Sequence, residues 1–226
     1  MAAAAQLPED LTSIAAVAAV LEVEQGDAKL PRLISAAPEA VRQYINRPRV
    51  HYGASITELA RGFGRPRLLL NVTPILTIAS ITLPDGSLVD PSEYMVEDAD
   101  AGMVYRAAGW PFTGQLHGGL LYVDPVSGSE RPSISVVYAG GWVTPAQAAT
   151  TPGLTRSLPY DLEEAVIMTV VARYRGGGVD PNVASESLGD YSVSYRNPNT
   201  LIGVGGGGII PDAAARILDS YARPAG

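Results

Sequence analysis

The chain has 226 residues, of which 46% are apolar and 17% charged, and this composition is that of a folded protein rather than a disordered one. It contains no cysteine and a single lysine, Lys29, which excludes disulfide scaffolds, thiolate metal sites and a phosphate-binding loop ending in Gly-Lys-Ser/Thr. The net charge of −7 argues against a general nucleic-acid-binding domain.

The first apolar run, residues 14–21, is shorter than the roughly 20 residues that a membrane span requires. It follows two acidic residues, and the first basic residue is Lys29, whereas a secretory signal begins with positive charge. The sequence therefore predicts a soluble protein that is made and kept in a cytoplasm.

Residues 12–47 have helical spacing. Thr12 is placed to cap a first helix, and Gly26-Asp27 marks a stop before a second one. In the second helix the apolar side chains step along one face: Leu30, Leu33, Ile34, Ala37, Val41, Tyr44 and Ile45. Pro38 interrupts this pattern, and because proline has no amide hydrogen we expect a kink or a break into two short helices there.

The next hundred residues change to short β-like runs separated by turn residues. The candidate strands are 67–72, 75–83, 93–97, 102–106, 119–124 and 133–142. The Pro-Asp-Gly run at 84–86 and the Ser-Gly pair at 127–128 predict hairpin turns. This density of strands indicates a small sandwich, a barrel or a curled antiparallel sheet.

Helical spacing returns at Leu158, after a stretch, 144–157, that has the composition of a loop. Acidic residues at 161, 163 and 164 favour the first turn of this helix, and arginines at 173 and 175 favour its last turn. The alternation of Tyr191, Val193 and Tyr195 predicts an extended arm, and a glycine run leads to a final short helix at 211–221.

These patterns predict an α+β fold: a helical bundle of two N-terminal helices and a long helix from the C-terminal half, an inserted antiparallel β-rich subdomain and an extended C-terminal arm. The expected boundaries are 1–49 for the N-terminal helices and 50–145 for the β-rich insertion. Residues 146–178 supply the loop and the long helix that complete the helical domain, and residues 179–226 form the arm and a short C-terminal helix.

Two short motifs imitate ligand-binding loops. The glycines of 203–208 have the spacing of a dinucleotide-binding loop. Such a loop also requires a second strand that ends in an acidic residue about 20 positions later, and the residues after Gly208 do not provide one, so a flexible linker is favoured. Asp98, Asp100 and Gly102 imitate the start of a calcium loop, but Gly109 stands where the twelfth-position glutamate is needed. An acidic hairpin turn is favoured there, and we expect no cofactor and no metal.

The sequence contains no motif that is typical of an enzyme active site. The two histidines, His51 and His117, lack metal-ligand spacing, and no nucleophile, base and orienting group can be assembled from motifs. Two carboxylates about 5–9 Å apart could act as acid and base, but Glu163 and Glu164 are adjacent on a helix and diverge. The sequence therefore predicts a protein that is not an enzyme and has no catalytic residues.

Charge is segregated along the chain. Residues 42–67 contain six arginines and one acidic residue, a net charge of +5, and residues 85–100 contain six acidic residues and no base, a net charge of −6. Opposite patches favour head-to-tail association, with two solvated faces as an equal alternative. The inter-subunit charge candidates are Arg42, Arg47, Arg49, Arg65, Arg67, Asp98 and Asp100.

Four aromatic residues, Trp110, Trp142, Tyr138 and Tyr160, flank junctions between strands and loops. Packing in the core is the default interpretation of such residues, and an interface is the alternative.

The order of parts resembles the head-tail connector (adaptor) proteins of tailed bacteriophages. LISAAPEAVRQYINR is similar to that family's Leu-Ile-x-Ala-Ala helix ending in Tyr-Ile-x-Arg, and LPYDLEEAVIMTVVARYR to its Leu-x-x-Ala helix ending in Arg-Tyr. SESLGDYS, at 185–192, is similar to its Ser-Glu-x-Ile-Gly-Asp-Tyr-Ser signature and is the most specific of the three.

The resemblance implies a structural virion protein of the phage neck, assembled in the host cytoplasm. It implies a homo-oligomeric ring, expected to be twelve-fold, that docks on the portal protein and extends the DNA channel toward a tail-side stopper or tail terminator protein. Genomic DNA would pass through the lumen without sequence-specific binding, and no membrane is involved. The family's C-terminal arm docks on the portal, which makes these residues and the closing helix the portal or ring-interface candidates: Ser185, Glu186, Gly189, Asp190, Tyr191 and Tyr195.

The charged segments and the function each allow a further expectation. Acidic side chains are expected to line the lumen, where they would repel phosphate, and the arginines of 42–67 to contact a neighbour or the portal. The main alternative function is a stand-alone module that recognises a glycan or a protein through a concave aromatic site in the β-rich middle. A hydrolase built on the acidic turn of Asp98 and Asp100 comes third.

Overall fold

A computed structural model describes residues 6–113, 115–117, 120–122, 133–176, 185–188, 191–194 and 210–223. The chain forms two compact units: a helical unit of residues 1–51 and 143–226, and a β unit of residues 52–142. Helices and antiparallel sheets together confirm the predicted α+β class.

The helical unit is organised around one long helix. The described helices are α1 (Ile14–Leu21), α2 (Leu30–Tyr44), α3 (Pro145–Thr150), α4 (Tyr160–Gly176) and α5 (Asp212–Leu218). Helix α4 packs against α1, α2 and α5, and it carries acidic residues in its first turn and arginines in its last, as the sequence predicts. Helix α5 is followed by a 3-10 turn, Asp219–Tyr221, and together they confirm the predicted short helix at 211–221.

The β unit is built on two three-stranded antiparallel sheets. Its described strands are β1 (Gly53–Ala60), β2 (Arg67–Leu69), β3 (Ile75–Thr82), β4 (Tyr94–Asp98), β5 (Met103–Arg106), β6 (Gln115–His117), β7 (Leu120–Tyr122) and β8 (Ile134–Gly140). One sheet has the order β1-β8-β3 and the other the order β2-β5-β4, while β6 and β7 pair with each other. A further pair, β9 (Ser185–Leu188) and β10 (Tyr191–Ser194), is antiparallel and belongs to the helical unit.

The described residues of the β unit form an apolar core. Strand β8 alternates buried and half-buried residues, which directs Ile134, Val136 and Tyr138 inward. They join Val104 of β5 and Trp110 in one cluster of buried side chains. The Tyr138 hydroxyl donates a hydrogen bond to Glu58 Oε2 (2.6 Å) and accepts one from the backbone N–H of Val72 (3.1 Å), so the buried phenol is satisfied.

Helix α2 runs through Pro38 without a break, so the expected division into two short helices is wrong. The proline forfeits one hydrogen bond to the preceding turn. On the same helix, Leu30, Ile34, Ala37 and Val41 are fully buried, and burial of such a face stabilises the continuous helix by more than one lost hydrogen bond costs.

Two other local predictions differ from the structure. Helix α1 is capped by Ser13, whose Oγ accepts from the N–H of Ala16, and not by Thr12. The stretch 144–157, expected to be a loop, begins with α3, because Thr144 and Gln147 form a reciprocal capping box around Pro145. Strand β1 is absent from the predicted strands, and the Ser127-Gly128 turn lies outside the described residues.

Candidate functional site

An apolar groove of about 430 Å³ lies on the outer face of the β2-β5-β4 sheet. Leu69 pairs with Met103 and Arg67 with Tyr105, which places all four side chains on one face. Leu69 is 62% exposed, and Phe63, in the loop before β2, is 64% exposed and completes the lining. Apolar side chains left open together mark an interaction surface.

Hydrogen bonds to Thr113 and Trp110 fix the loop that contains Phe63. Gly62 N–H donates to Thr113 Oγ1 (3.1 Å), and Gly62 O accepts from the N–H of Thr113 (3.0 Å). The N–H of Trp110 donates to Arg65 O (2.9 Å). A groove wall held by backbone hydrogen bonds is preorganised, so little conformational entropy is lost when a partner binds.

Two arginines stand at the groove and differ in their partners. Arg67 forms a bidentate ion pair with Glu97, with Nε–Oε2 and Nη2–Oε1 distances of 2.6 Å. Within the described part of the chain, the exposed Arg65 guanidinium has no ion pair or hydrogen bond of its own. Arg65 is therefore the cation that this rim can offer to another molecule.

The strand order explains why the basic and acidic segments do not stay separate. Strands β2 and β4 both pair with β5, so Arg67 of the basic segment meets Glu97 of the acidic one, and Arg106 of β5 pairs with Glu93. Part of the opposite charge predicted for neighbouring subunits is thus neutralised inside the β unit.

The acidic segment also contains the hairpin turns that the sequence predicts. Asp98 Oδ1 accepts from the N–H of Ala101 (2.8 Å) in the turn between β4 and β5, and Asp98 and Asp100 are exposed. Among the described residues no group of three or more acidic or histidine side chains is placed to hold a metal ion. The calcium-loop motif therefore has the structure of a hairpin turn.

The remaining arginine candidates lie in the helical unit and form contacts there. Arg42 pairs with Glu39 (2.7 Å), and Arg49 Nε donates to His51 Nε2 (2.9 Å). Arg47 is 9% exposed, and its Nε donates to the carbonyl oxygen of Tyr221 (3.0 Å). Arg47 thus holds the end of the chain, and we leave it out of the proposed inter-subunit set.

A second, smaller groove of about 190 Å³ lies beside these arginines. Pro38, Arg42, Arg49 and His51 are among its lining residues. Burial, aided by the charge of Arg49, lowers the pKa of His51 below its usual range. Neutral His51 therefore accepts the hydrogen bond from Arg49 and does not add a second positive charge to this groove.

Asp10 is a buried carboxyl that the sequence analysis does not single out. It is 2% exposed, and burial raises the pKa of its carboxyl above the usual range. Its Oδ2 accepts from the N–H of Leu7 (2.8 Å), while its Oδ1 has no hydrogen-bond partner among the described residues. The sequence carries no signal for this burial, because Pro8-Glu9-Asp10 has the composition of an exposed turn.

Of the two adjacent glutamates on α4, Glu163 is buried and Glu164 is exposed. Glu163 Oε2 pairs with Arg156 Nη2 (2.7 Å), and Glu163 Oε1 accepts from Thr12 Oγ1 (3.1 Å). This arrangement joins the start of the chain to α4, and it places Glu163 in a structural ion pair rather than opposite a second carboxylate.

The aromatic candidates divide between the core and the surface. Trp110, Trp142 and Tyr138 are buried in the β unit. Tyr160 is exposed at the start of α4, and the Arg156 guanidinium lies 3.8 Å from its ring centroid. Phe63 and Tyr105, which the sequence analysis does not single out, are the aromatic side chains of the β-unit groove.

The signature segment forms the β9-β10 hairpin. Tyr191 pairs with Leu188, and Ser194 with Ser185, so Glu186 is opposite Val193. The predicted arm therefore turns back on itself as two paired strands. Three of its candidate residues, Gly189, Asp190 and Tyr195, lie outside the described residues, as do the glycines of 203–208.

No known protein-family model matches the sequence, and no curated protein does. The chain is similar to a chain from the virion of a native gene transfer agent (GTA) particle, with 13% identity, a TM-score of 0.49 and coverage of 99% of this chain and 95% of that one. It is also similar to a chain from the neck of an empty GTA particle, with 15% identity, a TM-score of 0.46 and coverage of 100% and 94%. Similarity at this level fixes neither the family nor the function of the chain.

In the part of the chain that the structure describes, every helix is too short or too polar to cross a bilayer.

Proposed function

We propose that this chain is a structural protein of the neck of a tailed, phage-like particle. In this role it is an adaptor that forms a ring, docks on the portal protein at the portal vertex and extends the DNA channel toward a stopper or tail terminator. The ring follows the portal, which gives the expected twelve copies, and genomic DNA passes through without sequence-specific contacts. Assembly takes place in the host cytoplasm, and the protein ends in the virion.

The observation that carries this proposal is the place of the signature hairpin in the fold. SESLGDYS lies on β9 and β10, between α4 and α5, and these two helices pack against each other. The two strands pair with each other and belong to the same compact unit as these helices, so an arm built on them is attached to a folded body. This is the arrangement that a docking arm requires.

The closing helix, by contrast, serves the chain's own core. Ala214, Ala215 and Leu218 are buried, and the Tyr44 hydroxyl donates to Asp219 Oδ1 (2.7 Å), which raises the pKa of Tyr44 to about 12. We therefore assign portal docking to the hairpin residues Ser185 to Tyr195 and not to α5.

The exposed acidic side chains are suited to the lumen of a ring through which DNA passes. Asp98 and Asp100 are exposed and belong to an acidic turn, and negative charge on a lumen repels phosphate and lets DNA slide. Arg42, Arg49 and Arg65 remain the basic candidates for contacts with a neighbour or the portal. A ring in which these arginines face DNA and the acidic turn faces outward would contradict this assignment.

The first test is the mass and symmetry of the purified protein, alone and with portal-bearing capsids, by native mass spectrometry and negative-stain imaging. We expect a ring on the portal, with the symmetry of the portal. A stable monomer that does not bind the portal would contradict the proposal and favour a recognition module.

Replacing Tyr191 and Tyr195 together by alanine should weaken portal docking by at least roughly tenfold, because aromatic side chains dominate the binding energy of interfaces. The measurement is the amount of protein that sediments with portal-bearing capsids. The matched control is Tyr160→Ala, which removes an exposed tyrosine from the start of α4 and should bind as the unchanged protein does. Equal binding by all three proteins would remove the hairpin from the interface.

A stand-alone recognition module is the second candidate, and one observation favours it: the β-unit groove is concave and contains Phe63 and Tyr105. Such a module requires the groove to stay open in the assembled particle. If the groove is covered by another virion component, this function is contradicted.

A further inference from the structure

The β unit contains an exposed apolar projection in addition to its apolar groove. Leu88 is 72% exposed, whereas its neighbour Val89 is buried. The turn is fixed by backbone hydrogen bonds from Leu83 N–H to Ser87 O (2.8 Å) and from Val89 N–H to Ile81 O (2.9 Å). The Leu88 side chain therefore has no role in the core of this chain and is accessible to a partner.

Two carboxylates flank Leu88. Asp85 Oδ1 accepts from the N–H and hydroxyl of Ser87 (2.9 and 2.6 Å), and Asp90 Oδ1 accepts from the same groups of Ser92 (2.8 and 2.6 Å). These hydrogen bonds lower the pKa of both carboxyls, so both are ionised at neutral pH. In the contacts within the described chain each carboxylate uses Oδ1, which leaves Oδ2 for an incoming donor.

The groove has the complementary chemistry. Its lining of Phe63, Leu69 and Met103 is apolar, and Arg65 at its rim carries a charge with no partner among the described residues. Its volume of about 430 Å³ is within the range of roughly 300–1,000 Å³ that accommodates small ligands, so it has room for a leucine side chain. An apolar projection between carboxylates thus matches an apolar groove beside a guanidinium.

The groove and the projection are both exposed in one copy, so Leu88 does not occupy the groove of its own chain. We propose that the turn 83–90 of one copy inserts Leu88 into the β-unit groove of a second copy, with Asp85 or Asp90 paired with Arg65. In taking a second copy as the occupant, this inference rests on the proposed ring-forming function. The two surfaces are different patches, so the contact is head-to-tail, and each added copy presents a new free groove or projection.

Cysteine cross-linking tests this contact directly, because the chain has no cysteine of its own. Leu88→Cys and Leu69→Cys chains are mixed, with and without portal-bearing capsids, and treated with a mild oxidant. A disulfide forms only when the two Cα atoms come within roughly 4–7 Å, so we expect a covalent dimer from this mixture. The control mixture contains Leu88→Cys and Leu76→Cys, whose cysteine is on the exposed part of β3 outside the groove, and should give no dimer above background.

The double variant Leu88→Cys/Leu69→Cys gives a second readout. A head-to-tail contact predicts a ladder of covalent oligomers that ends at the copy number of the ring. A symmetric contact between identical patches would stop at a dimer, which would contradict the proposal.

Two substitutions at exposed positions test the chemistry. Leu88→Asp places a charge in the apolar groove and should abolish assembly, and Arg65→Asp should weaken assembly on the order of tenfold, because it sets like charges against each other. Leu76→Asp is the matched control and should assemble normally. Unchanged tryptophan fluorescence and thermal midpoint would show that each variant is folded, and normal assembly of folded Leu88→Asp would overturn the contact.

The outcomes separate the contact from the ring-forming function. A ring on the portal without the Leu88–Leu69 cross-link would overturn the contact and leave the adaptor function standing. A cross-link in solution by a protein that ignores the portal would support the contact and contradict the adaptor function. A groove thiol that is protected from alkylation in the particle, with no cross-link to Leu88, would assign the groove to a different virion component and also overturn the contact.

Discussion

Replacing Gly62 by alanine is expected to lower the free energy of unfolding of the β unit by about 4 kcal/mol. A Cβ at this position would lie 1.9 Å from the carbonyl oxygen of Pro111, and a flexible side chain cannot relieve this overlap because the obstacle is backbone. The loop would have to move away from Pro111. That movement breaks the hydrogen bonds that Gly62 forms with the N–H and Oγ1 of Thr113.

Urea unfolding followed by tryptophan fluorescence measures this effect, because Trp110 and Trp142 are the two tryptophans of the chain and both lie in the β unit. Gly26→Ala is the control without a clash, since nothing lies within 4 Å of its added Cβ. Gly64→Ala, at φ +69° and in open space, should cost only about 1 kcal/mol of backbone strain. Equal losses for Gly62→Ala and Gly64→Ala would show that the approach of Pro111 does not limit this position.

The same substitution links stability to the proposed contact between copies. Phe63 and Arg65 follow Gly62 on the loop that forms one wall of the groove, so displacing the loop also displaces them. We therefore expect Gly62→Ala to lose the Leu88–Leu69 cross-link at temperatures where the β unit is still folded. This result would place the rigidity of the loop, and not only its side chains, among the requirements of assembly.

The helices of this chain follow from local sequence signals where such signals are complete. Helix α4 has acidic residues at its start and arginines at its end, and it begins at Tyr160, two residues after the predicted return of helical spacing at Leu158. Helix α2 shows the opposite case, because the cost of Pro38 is local whereas the burial of Ile34 and Val41 that outweighs it depends on tertiary packing. Helix α3 was predictable in principle, since Thr144 and Gln147 have the spacing of a capping box.

The groove and its charges depend more on strand pairing than the helices do, and strand pairing cannot be read from local sequence. Strand β1 alternates in burial, with Ile56, Glu58 and Ala60 on its less exposed side, but the glutamate in this set removes the apolar alternation that would reveal a strand. The ion pair of Arg67 with Glu97 exists only because β2 and β4 flank β5, and strand order is a property of the whole sheet. Among the described residues, Arg67 has an ion-pair partner and Arg65 has none. The net charges of the two segments could not reveal this difference.

Glu163→Ala is expected to destabilise the helical unit by about 2–3 kcal/mol, whereas Glu164→Ala should change its stability by less than about 0.5 kcal/mol. The two residues are adjacent near the start of α4, so both substitutions remove the same charge from the same end of the helix. Only Glu163 is buried, at 7% exposure, and only its loss leaves Arg156 without its ion pair and Thr12 without its acceptor. The expected cost is below that of breaking a fully buried pair, because the Arg156 side chain keeps 24% of its exposure.

The unfolding of the helices, followed by far-ultraviolet circular dichroism, measures this difference, while tryptophan fluorescence should report an unchanged β unit because both tryptophans lie there. Glu163→Gln keeps an oxygen that can accept from Thr12 Oγ1 but removes the charge that faces Arg156, so its loss should lie between those of the other two variants. A stable Glu163→Ala protein would mean that the buried pair contributes nothing net to stability, as happens when desolvation cancels the attraction of the charges. In that case the pair of Glu163 with Arg156 would specify how the start of the chain meets α4 and would not add to the stability of the helical unit.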